Sequence, residues 1–367
     1  MPTNPQSGNR APENRGDSTP NDSSPDNPLG AAVTADELLP PVEPPSAGFI
    51  LQLFVVPAVI VLAVVLLWLL VTMMATRGDQ DPTKIVAALR SSNQARWQKA
   101  DELANMLRLE ERYPDLKHNA ELASQLAQLL DEEVEAGLDD QNSINLRYYL
   151  CRVLGEFYVD EGVEILLKTA RKDDQRDIRR EAINALAVLS HALSELQPPQ
   201  TLEHPQFVET LAALAGDQDD LVRSQTAFAL GVFVLSPDVD PRLTIELEKL
   251  VDDLYSDARY NAALGLARQG NLRAVGAVTE MLDAEALAMN TAREKTPALQ
   301  AFKRDTMLDN ALNASRLLLE NHPDADLARL RAAVKQFVDS APSWQPRPVP
   351  KSLIERAEEL LAEVPSS

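Results

Sequence analysis

One pattern recurs five times along this chain and restricts its fold more than any other feature. With Arg96, Arg147, Arg179, Arg223 and Arg259 each set as position 0, a leucine stands at +7 every time: Leu103, Leu154, Leu186, Leu230 and Leu266. Position +8 is always Gly or Ala (Ala104, Gly155, Ala187, Gly231, Ala267), and +4 is small or apolar (Ala100, Cys151, Ile183, Ala227, Ala263). Residues three and four apart share one face of a helix. Each segment therefore reads as a helix that buries a leucine and keeps a small residue beside it, so that a neighbouring helix can come close. The arginines are separated by 51, 32, 44 and 36 residues, intervals that suit a two-helix unit with loops of variable length. A sixth unit, around Phe302 to Leu319, follows the pattern only loosely.

The arginine itself needs a reason. A guanidinium at a helix start opposes the helix dipole unless it is partnered. Acidic residues precede four of the five arginines: Asp139 and Asp140, Asp173 and Asp177, Asp219 and Asp220, Asp252 and Asp253. These predict a row of Asp–Arg hydrogen bonds tying consecutive turns together. Elsewhere in 78–367 apolar residues recur at helical spacing, as in Ile178, Ala182, Ala185, Leu186 and Leu189, and strand-like alternation is nearly absent. Breaks fall at Pro and Asp clusters such as Pro114-Asp115, Pro198-Pro199 and Asp217 to Asp220, where Asp or Ser can cap the next helix. The expectation is an all-α fold.

The runs DQDDLVRSQTAFALG (217–231) and YSDARYNAALGLARQGN (255–271) resemble HEAT repeats, nearest to the short HEAT-like type named from phycobilisome lyases. The resemblance covers residues 82–321 and implies an armadillo-like α-solenoid of stacked helix pairs, with an extended surface for binding proteins. It departs from a regular array at 284–303 (AEALAMNTAREKTPALQAFK).

Two further segments precede the repeats. Residues 1–48 hold ten of the 25 prolines, and two arginines against seven acidic residues. Such a stretch cannot bury enough apolar surface to offset its ordering entropy, so it is expected to be disordered. Residues 49–75 (FILQLFVVPAVIVLAVVLLWLLVTMMA) carry no charge over 27 positions. At 1.5 Å per residue a helix of that length measures about 40 Å, enough to cross a hydrocarbon core of about 30 Å. Its 18 Phe, Ile, Leu and Val residues favour insertion by about −5 to −10 kcal/mol. Pro57 weakens or kinks it, which a membrane helix tolerates. The late start, the length and the lack of a basic leader argue against a cleaved signal. Residues 29–48 contain no Lys or Arg, whereas Arg77, Lys84, Arg90, Arg96 and Lys99 follow the span. Positive charge stays inside, so the solenoid is expected in the cytoplasm, the tail outside, and the membrane contact through 49–75. About seven residues, Thr76 to Pro82, separate the span from the first helix and limit the reach to about 25 Å.

At the other end, 322–367 holds a Pro-rich connector, SWQPRPVP (343–350), and a helix with the apolar stripe Leu353, Ile354, Ala357, Leu360 and Leu361. Ser352 and Glu355 have capping-box spacing. This helix either caps the solenoid or docks a partner.

A search for chemistry gives no catalytic, cofactor-binding or metal-binding residue. His118, His191, His204 and His322 are scattered, and the single cysteine, Cys151, occupies the core-facing +4 slot. A calcium loop beginning at Asp217 would need Gly and Glu where Val222 and Phe228 stand. With 35 Lys and Arg against 56 Asp and Glu, a net charge of −21, and no segregated basic patch, nucleic acid is not an expected partner. The sequence thus predicts a non-enzymatic, membrane-anchored scaffold for an unidentified protein partner. Two alternatives stay open, a lyase-like enzyme acting on a bilin chromophore and an extracytoplasmic solenoid in envelope assembly.

Overall fold

The computed structural model describes residues 46–78, 82–91, 96–235, 240–345 and 347–363. The expectation of disorder for 1–48 therefore lies outside the described residues except at its last three positions. The chain divides into two units, Met1–Thr72 and Met73–Ser367.

The first unit is described through helix α1 (Ala47–Gly78), which starts two residues before the uncharged stretch and ends three after it. Within it Leu51–Val71, 21 residues with a mean hydropathy of 3.2, is long and apolar enough to cross a membrane, and none of that window is buried. Pro57 lies inside the helix.

The second unit is helical throughout its described residues and is built of pairs: α2 (Pro82–Arg90) with α3 (Arg96–Arg108), α4 (Ala120–Ala136) with α5 (Gln141–Leu154), α6 (Val163–Lys172) with α7 (Arg176–Ser194), α8 (Phe207–Ala215) with α9 (Asp220–Phe233), and α10 (Pro241–Leu250) with α11 (Ser256–Arg268). A short helix α12 (Val275–Glu280) then packs on the long α14 (Pro297–Asn321), with α13 (Ala284–Thr291) between them in sequence, and α15 (Ala328–Ser340) pairs with α16 (Lys351–Glu363). The second helices α3, α5, α7, α9, α11, α14 and α16 each pack on the next, forming one row. The first helices α2, α4, α6, α8 and α10 do the same in a second row, and α12 lies against α15. This is a helical solenoid.

The repeat pattern explains the rows. Leu103, Leu154, Leu186, Leu230 and Leu266 are all buried, as are the +4 residues Ala100, Cys151, Ile183, Ala227 and Ala263. The small +8 position sets how closely neighbours approach. A Cβ on Gly155 would lie 2.8 Å from the Ala185 Cα, and one on Gly265 would lie 2.7 Å from the Gly231 Cα. Asp140, Asp219 and Asp240 cap α5, α9 and α10 through their carboxylates, as the turn composition predicts.

The arginine row forms, but with partners other than those expected. Each guanidinium takes its carboxylate from the following unit, not from the turn just upstream: Arg96 from Glu133 (2.8 Å), Arg147 from Asp173 (2.7 Å), Arg179 from Asp217 (3.5 Å), Arg223 from Asp253 (2.7 and 3.0 Å), and Arg259 from Glu280. The upstream turn supplies backbone carbonyls instead. Arg147 donates to Leu138 O (2.9 Å), Arg179 to Asp173 O (3.2 Å), Arg223 to Asp217 O (2.9 Å) and Arg259 to Asp253 O (2.7 Å). Asp173, Asp217 and Asp253 are thus each used twice, the carboxylate by the preceding unit's arginine and the carbonyl by their own. Each carboxylate also accepts the backbone N–H two residues on, at Gln175, Asp219 and Tyr255, which holds it in the turn. Of the other acids expected as partners, Asp140 and Asp219 serve as caps and Asp252 pairs with Arg273.

The array continues past the five clear repeats. Arg304 on α14 is buried and donates to Gln345 O (3.2 Å) and Arg347 O (2.8 Å) in the turn before α16. Leu353, Ala357 and Leu360 of α16 are buried, and Arg356 reaches Asp309 and Asn313 on α14. The helix begins at Lys351, so Ser352 is its second residue and not the cap that the Ser352/Glu355 spacing predicts.

Candidate functional site: a groove across the second-row helices

With +4, +7 and +8 turned inward, +2 and +5 of the second-row helices face outward. On α7 these are Glu181 and Asn184, on α9 Gln225 and Phe228, and on α11 Asn261 and Leu264. A groove of about 600 Å³ crosses α7, α9, α11 and α14 along these positions. Its apolar lining includes Phe228, Leu264, Leu299 and Phe302. Phe228 is 42%, Leu299 46% and Phe302 68% exposed. The last two come from the segment 284–303 that interrupts the repeat spacing, as do the lining residues Glu294 and Lys303. The irregularity in the sequence is a wall of the groove.

The polar lining is a line of carboxamides. Gln225 Nε2 donates to Asn184 Oδ1 at 3.4 Å, and Asn261 Nδ2 donates to Ser224 O (3.1 Å) and Ser224 Oγ (3.2 Å). Charges in the groove are matched. Lys303 lies 3.1 Å from Asp257 and 3.6 Å from Glu294, and Arg180 lies 3.3 Å from Asp177. Burial, with Asp257 beside it, pushes the Tyr255 hydroxyl up to about 12, so it stays a neutral donor to that carboxylate. Tyr260 moves the same way through burial and Glu280.

Farther along the row a cavity of about 230 Å³ is lined by Arg108, Tyr148, Arg152, Glu156 and Glu181. Burial and then Glu181 push Tyr148 up to about 12, and burial raises the Glu181 carboxyl above its ordinary value. Arg108 Nε donates to Glu156 at 2.6 Å. A third cavity, of about 500 Å³, lies by the α7–α8 loop around Leu202, His204, Phe207 and Phe233.

The residues weighed for chemistry lie apart. Cys151 is fully buried in its core slot, and burial raises its thiol well above the usual range. The His118 ring lies tilted against Tyr158, His204 Nδ1 accepts from Gln206 N, and His322 Nε2 pairs with Gly270 O. Among the described residues no group of three or more His, Cys, Asp or Glu is placed to hold a metal. The groove is what the sequence reading missed. Its signal is the outward +2 and +5 pattern, in which carboxamides and apolar residues stand side by side on α9 and α11.

The family model for HEAT repeats matches residues 131–231. No curated protein matches the chain. Solved structures similar to it include an engineered protein (22% identity, TM-score 0.38, covering 64% of this chain and 98% of that one). Human deoxyhypusine hydroxylase in complex with glycerol is similar at 15% identity and a TM-score of 0.28, covering 80% of this chain and 99% of that one. YibA of Escherichia coli is similar at 17% identity and a TM-score of 0.29, covering 74% and 98%. Likeness at this level carries nothing about chemistry.

Proposed function

We propose that this protein is a membrane-anchored scaffold, in which α1 spans the bilayer and the HEAT-repeat solenoid binds a protein partner through its second-row groove, without catalysis. The observation that carries this reading is the contrast between the two units. The Leu51–Val71 window is apolar and exposed, whereas the Met73–Ser367 unit buries its repeat leucines in one continuous core. A bare apolar helix of that length is stable in lipid and not in water. The Lys and Arg bias about the span favours a cytoplasmic solenoid and an external tail. Arg90, Arg96 and Lys99 additionally pair with Glu132, Glu133 and Glu102 inside the folded unit. Confinement to the membrane raises the effective concentration of any second membrane component. The −21 net charge disfavours nucleic acid as a partner.

The test is in-cell cross-linking of the tagged full-length chain beside a version lacking 49–75, with mass spectrometry of the captured proteins and alkaline extraction of the membranes. The full-length chain is expected in the extracted membrane pellet with a reproducible partner that disappears when 49–75 is removed. A full-length chain released by alkali, or an empty capture from both versions, overturns the proposal.

A further inference from the structure

We infer that the groove across α7, α9, α11 and α14 takes an extended segment of the partner, with bulky apolar side chains three residues apart and Lys or Arg on its flanks. This rests on the scaffold reading and specifies its occupant.

Three observations carry it. First, the groove offers hydrogen bonds suited to a peptide backbone. Among the described residues Gln225 Oε1 and Asn261 Oδ1 accept no hydrogen bond, and their amide nitrogens are anchored within the row. A helical ligand satisfies its own backbone and has no use for such a line. An extended, polyproline-like segment has every N–H and C=O unpaired. Second, the spacing fits. Packed helices lie about 8–10 Å apart. A polyproline-type chain rises about 3.1 Å per residue with three residues per turn, so it presents the same face about every 9 Å. One residue in three therefore meets one carboxamide-bearing helix after another, and the side chains on that face reach Phe228, Leu264 and Phe302.

Third, the charge distribution selects the flanks. Inside the groove Lys303 is held between Asp257 and Glu294, and with Arg180 the four charged lining residues balance, two of each sign. The segment that carries the groove is acidic: residues 176–310 hold 13 Lys and Arg against 21 Asp and Glu. A ligand with an uncharged apolar centre and basic ends matches both zones, and its basic ends are drawn in at low ionic strength.

The experiment pans a random phage-displayed dodecapeptide library on the full-length protein in lipid nanodiscs, then measures the strongest peptide by fluorescence polarisation. The expected peptides carry two bulky apolar residues three apart with Lys or Arg on either side. A proline placed between the apolar pair is expected to change the dissociation constant by less than about twofold, because the extended form already suits proline. Phe302→Ser, at an exposed position that the fold does not need, is expected to weaken binding at least about tenfold, the scale of losing one apolar anchor. The pair Gln225→Ala and Asn261→Ala is expected to weaken it severalfold. Leu254→Ser, at an exposed leucine on the turn before α11, leaves it unchanged. Apolar residues four and seven apart in the enriched peptides, loss of binding on adding the proline, acidic flanks, indifference to Phe302→Ser, or an empty panning each overturns the inference. An empty panning beside an anchor-dependent partner in the cross-linking leaves the scaffold standing and removes only the extended occupant. If both are empty, both readings fail.

Discussion

Substituting Gly155 by alanine tests whether close approach of the second-row helices sets the geometry of the stack. The added Cβ would lie 2.8 Å from the Cα, 2.9 Å from the Cβ and 2.9 Å from the carbonyl oxygen of Ala185. Carbon atoms in contact prefer about 3.5–4.0 Å. Two of the three opposing atoms are backbone, so no rotamer change relieves the overlap, and α5 and α7 must part by roughly 0.7 Å to restore contact distance. Overpacking of this kind costs about 1–3 kcal/mol. Gly155 is the C-cap of α5, with φ −70°, so alanine regains little from helix propensity. At about 2–4 °C per kcal/mol for a domain of this order of size, the melting temperature falls by about 2–12 °C. Gly276 provides the internal control. It lies within α12, and a Cβ there meets nothing within 4 Å, so Gly276→Ala stabilises by about 0.4–1 kcal/mol. Thermal unfolding of the full-length variants in detergent, followed by far-UV circular dichroism, reads both. A Gly155→Ala protein that melts at or above the wild-type temperature refutes the close-approach argument.

Leu230→Asp places a carboxylate in a fully buried slot and is expected to abolish the cooperative melt; an unchanged curve would refute the repeat register. Arg147→Ala leaves Asp173 buried without its guanidinium and is expected to cost about 3–5 kcal/mol. The more accessible Arg223→Ala is expected to cost about 1–3 kcal/mol, and denaturant titration gives the order of the two. The Asp253 carboxyl is subject to burial, which acts to raise it, but the Arg223 and Tyr255 N–H hydrogen bonds outweigh this and hold it below its ordinary value. Its depressed pKa gives stability that is complete above the unfolded-state value of about 3.9 and disappears as pH falls through the folded-state value. An acid titration should therefore show wild type losing its advantage over Asp253→Asn below about pH 4, and a gap that persists at lower pH contradicts the linkage.

The second-row helices were legible because each buries the same three slots, and burial leaves a periodic trace in sequence. The units that end in α14 and α16 were harder to see. After Arg304 the large and small positions exchange, with Ala311 and Leu312 standing where a leucine and then a small residue recur elsewhere. The arginine partners were misread for a different reason. Acids stand both before and after four of the five arginines along the chain, and only the reach of the side chain across the stack decides which carboxylate it meets. The groove left the weakest trace. Exposed positions need not repeat, and the segment 284–303 reads as a break in the array until the fold places Leu299 and Phe302 opposite the carboxamides of α9 and α11.

The double use of Asp173, Asp217 and Asp253 has a consequence for how the molecule comes apart. Opening one unit withdraws a carboxylate from the arginine before it and its own arginine from the carboxylate after it, so an interior break disrupts both adjoining interfaces at once. A terminal unit has only one such junction to lose. Local opening therefore starts at the ends and runs inward, and backbone amides of α7 and α9 should exchange with deuterium more slowly than those of α2 or α16. The middle of the row, where the groove lies, is then the part of the array held in its folded geometry for the longest time.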